Sequence, residues 1–306
     1  MLRKRMAGTR QLYSRRERVV MDVIGNQKIW TFSEGSESIT GLTCGAIRKG
    51  PAHRVRSYVD LATKIAELQF RNRDFVLMFR GQNGDFKNRS GYTSLKPTLL
   101  RDSSPNRVPT AATLNTRFEK LVAAEKALVV EYKRASLLGR ERLERQRILR
   151  WVILQHYEVC PTPLLDVTQS LRIAASFASH RAQSEAFVFV LGIPNVSGAI
   201  TASAEAGLQI VRLASVCPPT AVRPHLQEGY LLAEYPDCAS AEQKLLYSHA
   251  EMDFGRRLIA KFRFEPDKFW EKSGHFPKVG ESALYPRSSL DSMCALAEKV
   301  GSAIET

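Results

Sequence analysis

Read as apolar and polar positions, the chain divides into stretches of two kinds. Val55, Tyr58, Leu61, Ala62, Ile65 and Leu68 recur at helical spacing, and their shared face predicts an amphipathic helix within 53–70. DFVLMF (74–79) follows as a short apolar run, the pattern of a buried strand. Residues 113–158 return to the helical period. Phe118, Leu121, Val122, Glu125, Leu128 and Val129 mark one mostly apolar face there, and Leu149, Val152, Ile153 and Tyr157 mark another. VCPTP closes this region, because each proline disfavours helix in the residue before it. SLRIAASFASHRA (170–182) predicts a helix whose small residues, Ala174, Ala175 and Ala178, let its backbone approach a sheet closely. AFVFVLGI (186–193) is the clearest buried strand. GLQIVRLA, EGYLLAEY and RLIAKFRF predict further strands, and 287–304 a closing helix.

The helices cluster before and between strands rather than alternating with them one to one. That order predicts an α+β fold: a mixed or antiparallel central sheet flanked by helices, with a helical insertion between the first strands. SEGSESITGLTCGAIRKGP (33–51), rich in Gly, Ser and Thr, reads as loop or linker. The chain therefore divides into a basic N-terminal segment, 1–52, and one larger domain, 53–306.

Charge adds a partner class to this picture. Lysine and arginine number 45 against 31 acids, a net charge of +14, which favours polyanionic partners. The excess is concentrated at the start. Arg3, Lys4, Arg5, Arg10, Arg15, Arg16 and Arg18 face a single acid, Glu17, within the first twenty residues. A second basic stretch, GRERLERQRILR (139–150), has interleaved acids and reads as a surface helix. The five cysteines, Cys44, Cys160, Cys217, Cys238 and Cys294, are scattered and form no C-x-x-C pair. This argues against a disulfide framework and a structural zinc site, and for a reducing, cytoplasmic setting. No apolar run reaches the roughly 20 residues that cross a bilayer.

Three stretches carry candidate chemistry. In FRGQ (79–82), Arg80 follows the apolar run directly. A guanidinium there needs a partner, either Asp166 or the carboxylate or phosphate of a ligand. Gly81 leaves room for a backbone or a ligand to come close. In LQHYEVCPTPLLDVTQS (154–170), Thr168 or Ser170 can cap the following helix, whose N-terminus would suit an anion. His156 and Asp166 form a candidate acid/base pair, beside Thr162. In RPHLQEGY (223–230), Glu228 stands where an apolar strand begins. No G-x-x-x-x-G-K loop, G-x-S-x-G elbow or H-E-x-x-H motif occurs, so ATPase, α/β-hydrolase and zinc-protease readings lack local support.

Taken in order, these stretches resemble the FRG domain family, named for its (Phe/Tyr)-Arg-Gly motif. FRGQ resembles the naming motif, and LQHYEVCPTPLLDVTQS the family's central Q-H-x-G-x-P-T-R-L-L-D-W-T block. RPHLQEGY resembles the later Q-x-G segment, and KFRFEP and ALYP the closing elements. The likeness spans about 54 to 300. Glu158, Pro163 and Val167 depart from it, standing where the family has Gly, Arg and Trp. A more distant likeness joins the order of these residues to ADP-ribosyltransferases of the Arg-Ser-Glu type. That likeness implies NAD as substrate, held by Arg80 with Gly81, Gln82, Thr162, Asp166 and Ser170. It implies Thr168 (or Ser170) on the nicotinamide ribose, Glu228 against an oxocarbenium-like transition state, His156 in a supporting catalytic role, and no metal. Glu228 lacks the E-x-E setting of transferases. The implied protein is a toxin or phage-defence effector. The alternative is a non-catalytic nucleic-acid-binding or regulatory module that uses the basic N-terminal segment.

Overall fold

A computed structural model describes residues 24, 27–104, 107, 109–180, 182–246, 253–287 and 289–305. The Arg-rich stretch at 3–18 lies outside them. Among the described residues there are ten strands: β1 (Ile29–Phe32), β2 (Ile39–Leu42), β3 (His53–Arg54), β4 (Val76–Gln82), β5 (Leu165–Thr168), β6 (Ala186–Ile193), β7 (Ile200–Ser203), β8 (Leu208–Arg212), β9 (Gly229–Glu234) and β10 (Leu258–Phe264). The first six α-helices are α1 (Cys44–Lys49), α2 (Tyr58–Arg71), α3 (Ala111–Arg134), α4 (Arg140–Arg145), α5 (Arg147–His156) and α6 (Leu171–His180). Six more are α7 (Leu213–Val216), α8 (Val222–Leu226), α9 (Ala241–Leu245), α10 (Pro266–Glu271), α11 (Glu281–Leu284) and α12 (Ser292–Glu305).

The fold is α+β, as the order of patterns predicts. Strands β3-β10-β6-β4-β5-β9-β8-β7 form one sheet, and β1 pairs with β2 in a separate hairpin. Within the large sheet β10 and β3 run parallel, and the pairs around β6, β4, β5, β9 and β8 are antiparallel. The helical insertion, α3 to α5, lies between β4 and β5 in the chain.

Alternation along β9 explains why its sequence is an apolar run without a polar face. Tyr230 and Leu232 join one core with Met78, Phe189, Val190 and Phe262. Leu231 and Ala233 join a second core with Leu121, Leu128, Trp151 and Leu296. Both faces of the strand are covered, so both sets of positions are apolar. The second core also holds the one acid on the apolar face of α3. Glu125 is buried there, and its carboxylate accepts from Arg150 Nε and Trp151 Nε1, both at 2.8 Å.

Two local expectations need correction. The Gly/Ser/Thr-rich stretch 33–51 contains β2 and α1 as well as turns. Thr43 caps α1 by accepting from Ala46 N, and Cys44 and Ile47 pack into the first core. Within the expected basic segment, residues 29–50 are therefore part of the packed body. Arg80 also does not end its strand. The β4–β6 ladder continues from Val76↔Ile193 through Arg80↔Phe189 to Gln82↔Phe187.

Candidate active site

The β4–β5 ladder is a single pair, Phe79↔Thr168. Past that pair the strands part, and Arg80 bridges the opening by donating from Nη1 to the main-chain carbonyl of Asp166, at 2.6 Å. A cavity of about 450 Å³ opens here, lined from β4 by Phe79 to Gln82, from α5 by Gln155 and His156, and from β5 by Asp166 to Thr168. Arg101, Arg223 and Tyr285 line it from more distant parts of the chain.

Hydrogen bonds fix the floor of this cavity. The Thr162 hydroxyl donates to Gln155 Oε1 at 2.7 Å, and Gln155 Nε2 donates to Asp166 Oδ2 at 2.7 Å. Thr162 thus acts one residue removed, by orienting the amide that holds the carboxylate. The Asp166 carboxyl is pushed above the usual range by burial, against the pull of Arg80, the Gln155 amide and Arg223. Burial pulls the Arg80 guanidinium down to about 10, with Asp166 opposing and Arg101 adding to the shift. The expected Arg80–Asp166 salt bridge is absent among the described ion pairs. What Arg80 meets is the Asp166 backbone.

His156 is buried and held well below its ordinary value by burial and by Arg223, so its imidazole is neutral. Arg223 donates to Glu158 Oε1 at 3.0 Å and lies over the rings of Tyr285 and Tyr157, at 4.6 and 5.8 Å. Phe177 meets Tyr285 edge-on at 5.8 Å and extends the aromatic wall.

Polar atoms left without partners gather in this cavity. Arg80 Nε, Gln82 Oε1, His156 Nε2 and Arg223 Nε are all buried with no hydrogen-bond partner. Buried polar atoms are nearly always paired in folded proteins. Four exceptions around one cavity are the pattern of a site built for a polar ligand.

The remaining expected residues have other positions. Gly81 lines the cavity, but the side on which a Cβ would stand faces α6, where that Cβ would lie 1.9 Å from the carbonyl oxygen of Ala174. Thr168 lines the cavity, but its hydroxyl is engaged with the Gln227 and Glu228 carbonyls, at 2.8 and 3.1 Å, and it accepts from Ser170 N. Ser170 opens α6, where its carbonyl accepts from Ala174 N, and it does not line the cavity. Glu228 is exposed and outside the lining, and it follows α8 with a left-handed φ of +44°. From the start of β9 the cavity receives Gly229 and Tyr230 instead. Its carboxylates are Asp166, Glu158 and Glu281. Arg223 and Tyr285 lie in segments that the family resemblance singled out, yet neither carries a local signal of a role. Arg101 lies in no motif at all.

Among the described residues, no group of three or more His, Cys, Asp or Glu is placed to hold a metal, and no helix is long and apolar enough to cross a membrane. No curated protein and no solved structure matches the chain. Residues 76–186 match a family model, and that span begins with β4, covers the helical insertion, β5 and α6, and ends where β6 begins. It therefore contains Arg80, His156, Asp166 and Thr168, while the 223–230 and 283–286 stretches lie beyond it. The model is that of the FRG domain, and the chain matches it over 76–186.

Proposed function

We propose that the cavity binds NAD and that the protein acts on it as an ADP-ribosyltransferase-like enzyme. The observation that carries this reading is the pair of buried, unpartnered Nε atoms, Arg80 and Arg223, in one aromatic-walled cavity. Planar guanidinium groups suit phosphate, and Tyr285 and Phe177 offer ring faces and edges to a base or a nicotinamide. The cavity's carboxylates suit the positive charge of the oxidised nicotinamide. The strands expected to carry the three motifs, β4, β5 and β9, are also neighbours in the sheet.

In ADP-ribosyl transfer the bond from the ribose C1′ to nicotinamide breaks, nicotinamide leaves with the electron pair, and an acceptor oxygen or nitrogen bonds to C1′ and loses a proton. Glu228 lies outside the cavity, so the acid assigned to the developing cation is Asp166, held by Gln155. His156, kept neutral, is assigned to take the acceptor's proton. The test is nicotinamide release by the purified protein, with NAD affinity measured beside it. Asp166→Asn is expected to lower release by roughly 10² or more while affinity changes little. Release unchanged in that variant would remove Asp166 from the chemistry. No NAD binding by the folded wild type would sink the reading.

A second reading, nucleic-acid binding, has its own observation. Trp30 and Phe70 are exposed, at 42% and 60%, with Arg71 placed 5.6 Å from the Trp30 ring and Arg73 4.3 Å from the Phe70 ring. Asn72 ties the two segments together by accepting from Trp30 N and donating to Trp30 O. Aromatic faces beside arginines suit the bases and phosphates of a single strand. Single-stranded DNA or RNA is expected to bind with an affinity that falls roughly 10³-fold between 50 and 200 mM salt. Removal of residues 1–20 is expected to flatten that slope. An unchanged slope would place the contacts elsewhere.

A further inference from the structure

We infer that Glu158 is an internal competitor for the cavity's anion site, a carboxylate held on Arg223 that an incoming phosphate must displace. The inference rests on the reading of the cavity as a phosphate site and adds to it a residue that sets which anions enter.

The backbone gives the first argument. Helix α5 ends in a Schellman motif: Val159 N donates to Leu154 O at 2.9 Å, and Glu158 N donates to Gln155 O at 3.1 Å. Glu158 fills the left-handed position of that motif, with φ +58°. Glycine takes this conformation without steric cost, and a side chain there is disfavoured. A glutamate at such a position costs stability that nothing in the helix end returns.

What the side chain does gives the second argument. Glu158 lines the cavity, and its Oε1 meets Arg223 Nη2 at 3.0 Å. The two partners are unequally placed. The Arg223 side chain is 11% exposed and that of Glu158 61%. Arg223 is held by the rings of Tyr157 and Tyr285, and its own backbone N donates to Asp291 Oδ2 at 2.8 Å. The Glu158 carboxylate has no second hydrogen-bond partner among the described contacts. The fixed member of the pair is therefore the arginine, and the mobile member is the acid at the solvent side. An exposed ion pair is weak enough to exchange, while its tether keeps the competing carboxylate at a high effective concentration. A free monocarboxylate competes with a group of its own kind and loses. A phosphate or pyrophosphate, with more charge and more acceptor oxygens, can displace it.

The experiment is calorimetric titration of NAD and of inorganic pyrophosphate into wild type, Glu158→Gly and Glu158→Gln. Both variants are expected to bind both probes about tenfold more tightly than wild type, equivalent to about 1.4 kcal/mol. Gln keeps the left-handed side chain but loses the charge, so a gain shared by Gly and Gln assigns the effect to the carboxylate. Equal affinity in all three proteins, or weaker binding by the variants, overturns the inference even where NAD binds. Tighter pyrophosphate binding by the variants with no NAD binding by any of the three supports the competitor and refutes the NAD reading. Failure of both probes with all three proteins overturns both.

Discussion

Replacing Gly81 with alanine is expected to cost about 3 kcal/mol or more and to lower the melting midpoint by roughly 10 °C. A Cβ at this position would lie 1.9 Å from Ala174 O and 2.8 Å from Ala178 N, both backbone atoms of α6. No side-chain rotation relieves an overlap with backbone, so α6 must lift away from β4. That helix buries Ala174, Ala175 and Ala178 against the strand, which is why small residues recur along it. The control is Gly274→Ala, where a Cβ meets nothing within 4 Å and the backbone is outside the left-handed region. It is expected to stay within about 0.5 kcal/mol of wild type. Urea and thermal melts of both variants check the pair. A Gly81→Ala protein as stable as the control would mean that α6 does not sit as close to β4 as described. A stable variant that loses only ligand binding would return Gly81 to the role of admitting ligand.

This arrangement also marks what local sequence could convey. The run AFVFVLGI is apolar because β6 is covered on both faces, and it forms a strand with those same bounds. The face predicted for α2 reappears as buried Leu61, Ile65 and Leu68. The β1–β2 hairpin was not legible, because IWTF and ITGL are short and Gly, Ser and Thr fill the turn between them. Their strand state comes from pairing with each other and from packing Ile29 and Phe32 into the core. Arg80, directly after the apolar run 74–79, carries the charge that normally marks a strand's end. Its strand continues because β6 supplies a ladder on one side while β5 departs on the other, and only tertiary structure holds that information.

The site divides along the same line. Arg80, Gln82, His156 and Asp166 meet in one cavity because β4, α5 and β5 are adjacent, and their motifs are dense enough to be noticed locally. Glu228 sits at the head of β9, as its position in the sequence implies, but a left-handed backbone turns it to solvent. The orientation of one residue after a short helix has no sequence signature. Arg223 was invisible for a different reason. It becomes a site residue through Tyr157, Glu158 and Tyr285, of which Tyr157 and Glu158 lie about 65 residues before it in the chain and Tyr285 about 60 after it.

Arg80→Met is expected to weaken NAD binding sharply while leaving the protein folded. Loss of a buried guanidinium from a phosphate costs 2–5 kcal/mol in comparable charge pairs, so NAD affinity should fall roughly 100-fold or more. The folded state loses one hydrogen bond, Arg80 Nη1 to the Asp166 carbonyl, and sheds a buried Nε that has no partner. These changes act in opposite directions, and methionine restores most of the volume, so apart from the ionisation of Asp166 they should nearly cancel. Asp166 allows the sign to be checked. Its folded carboxyl is already raised by burial, and Arg80 is the strongest influence holding it down. A raised carboxyl favours folding most fully below the ordinary carboxylate value of about 3.9, and that contribution is lost as pH rises through the folded value. Without Arg80 the folded value climbs further. The deficit of Arg80→Met relative to wild type should therefore be smallest in acid and grow toward neutral pH. Melting midpoints of the two proteins at about pH 4 and about pH 7 measure it. A deficit that grows in acid would mean that Asp166 is not the group Arg80 acts on. Collapse at every pH, with no ligand effect to measure, would make the guanidinium a brace between β4 and β5 and take the phosphate away from it.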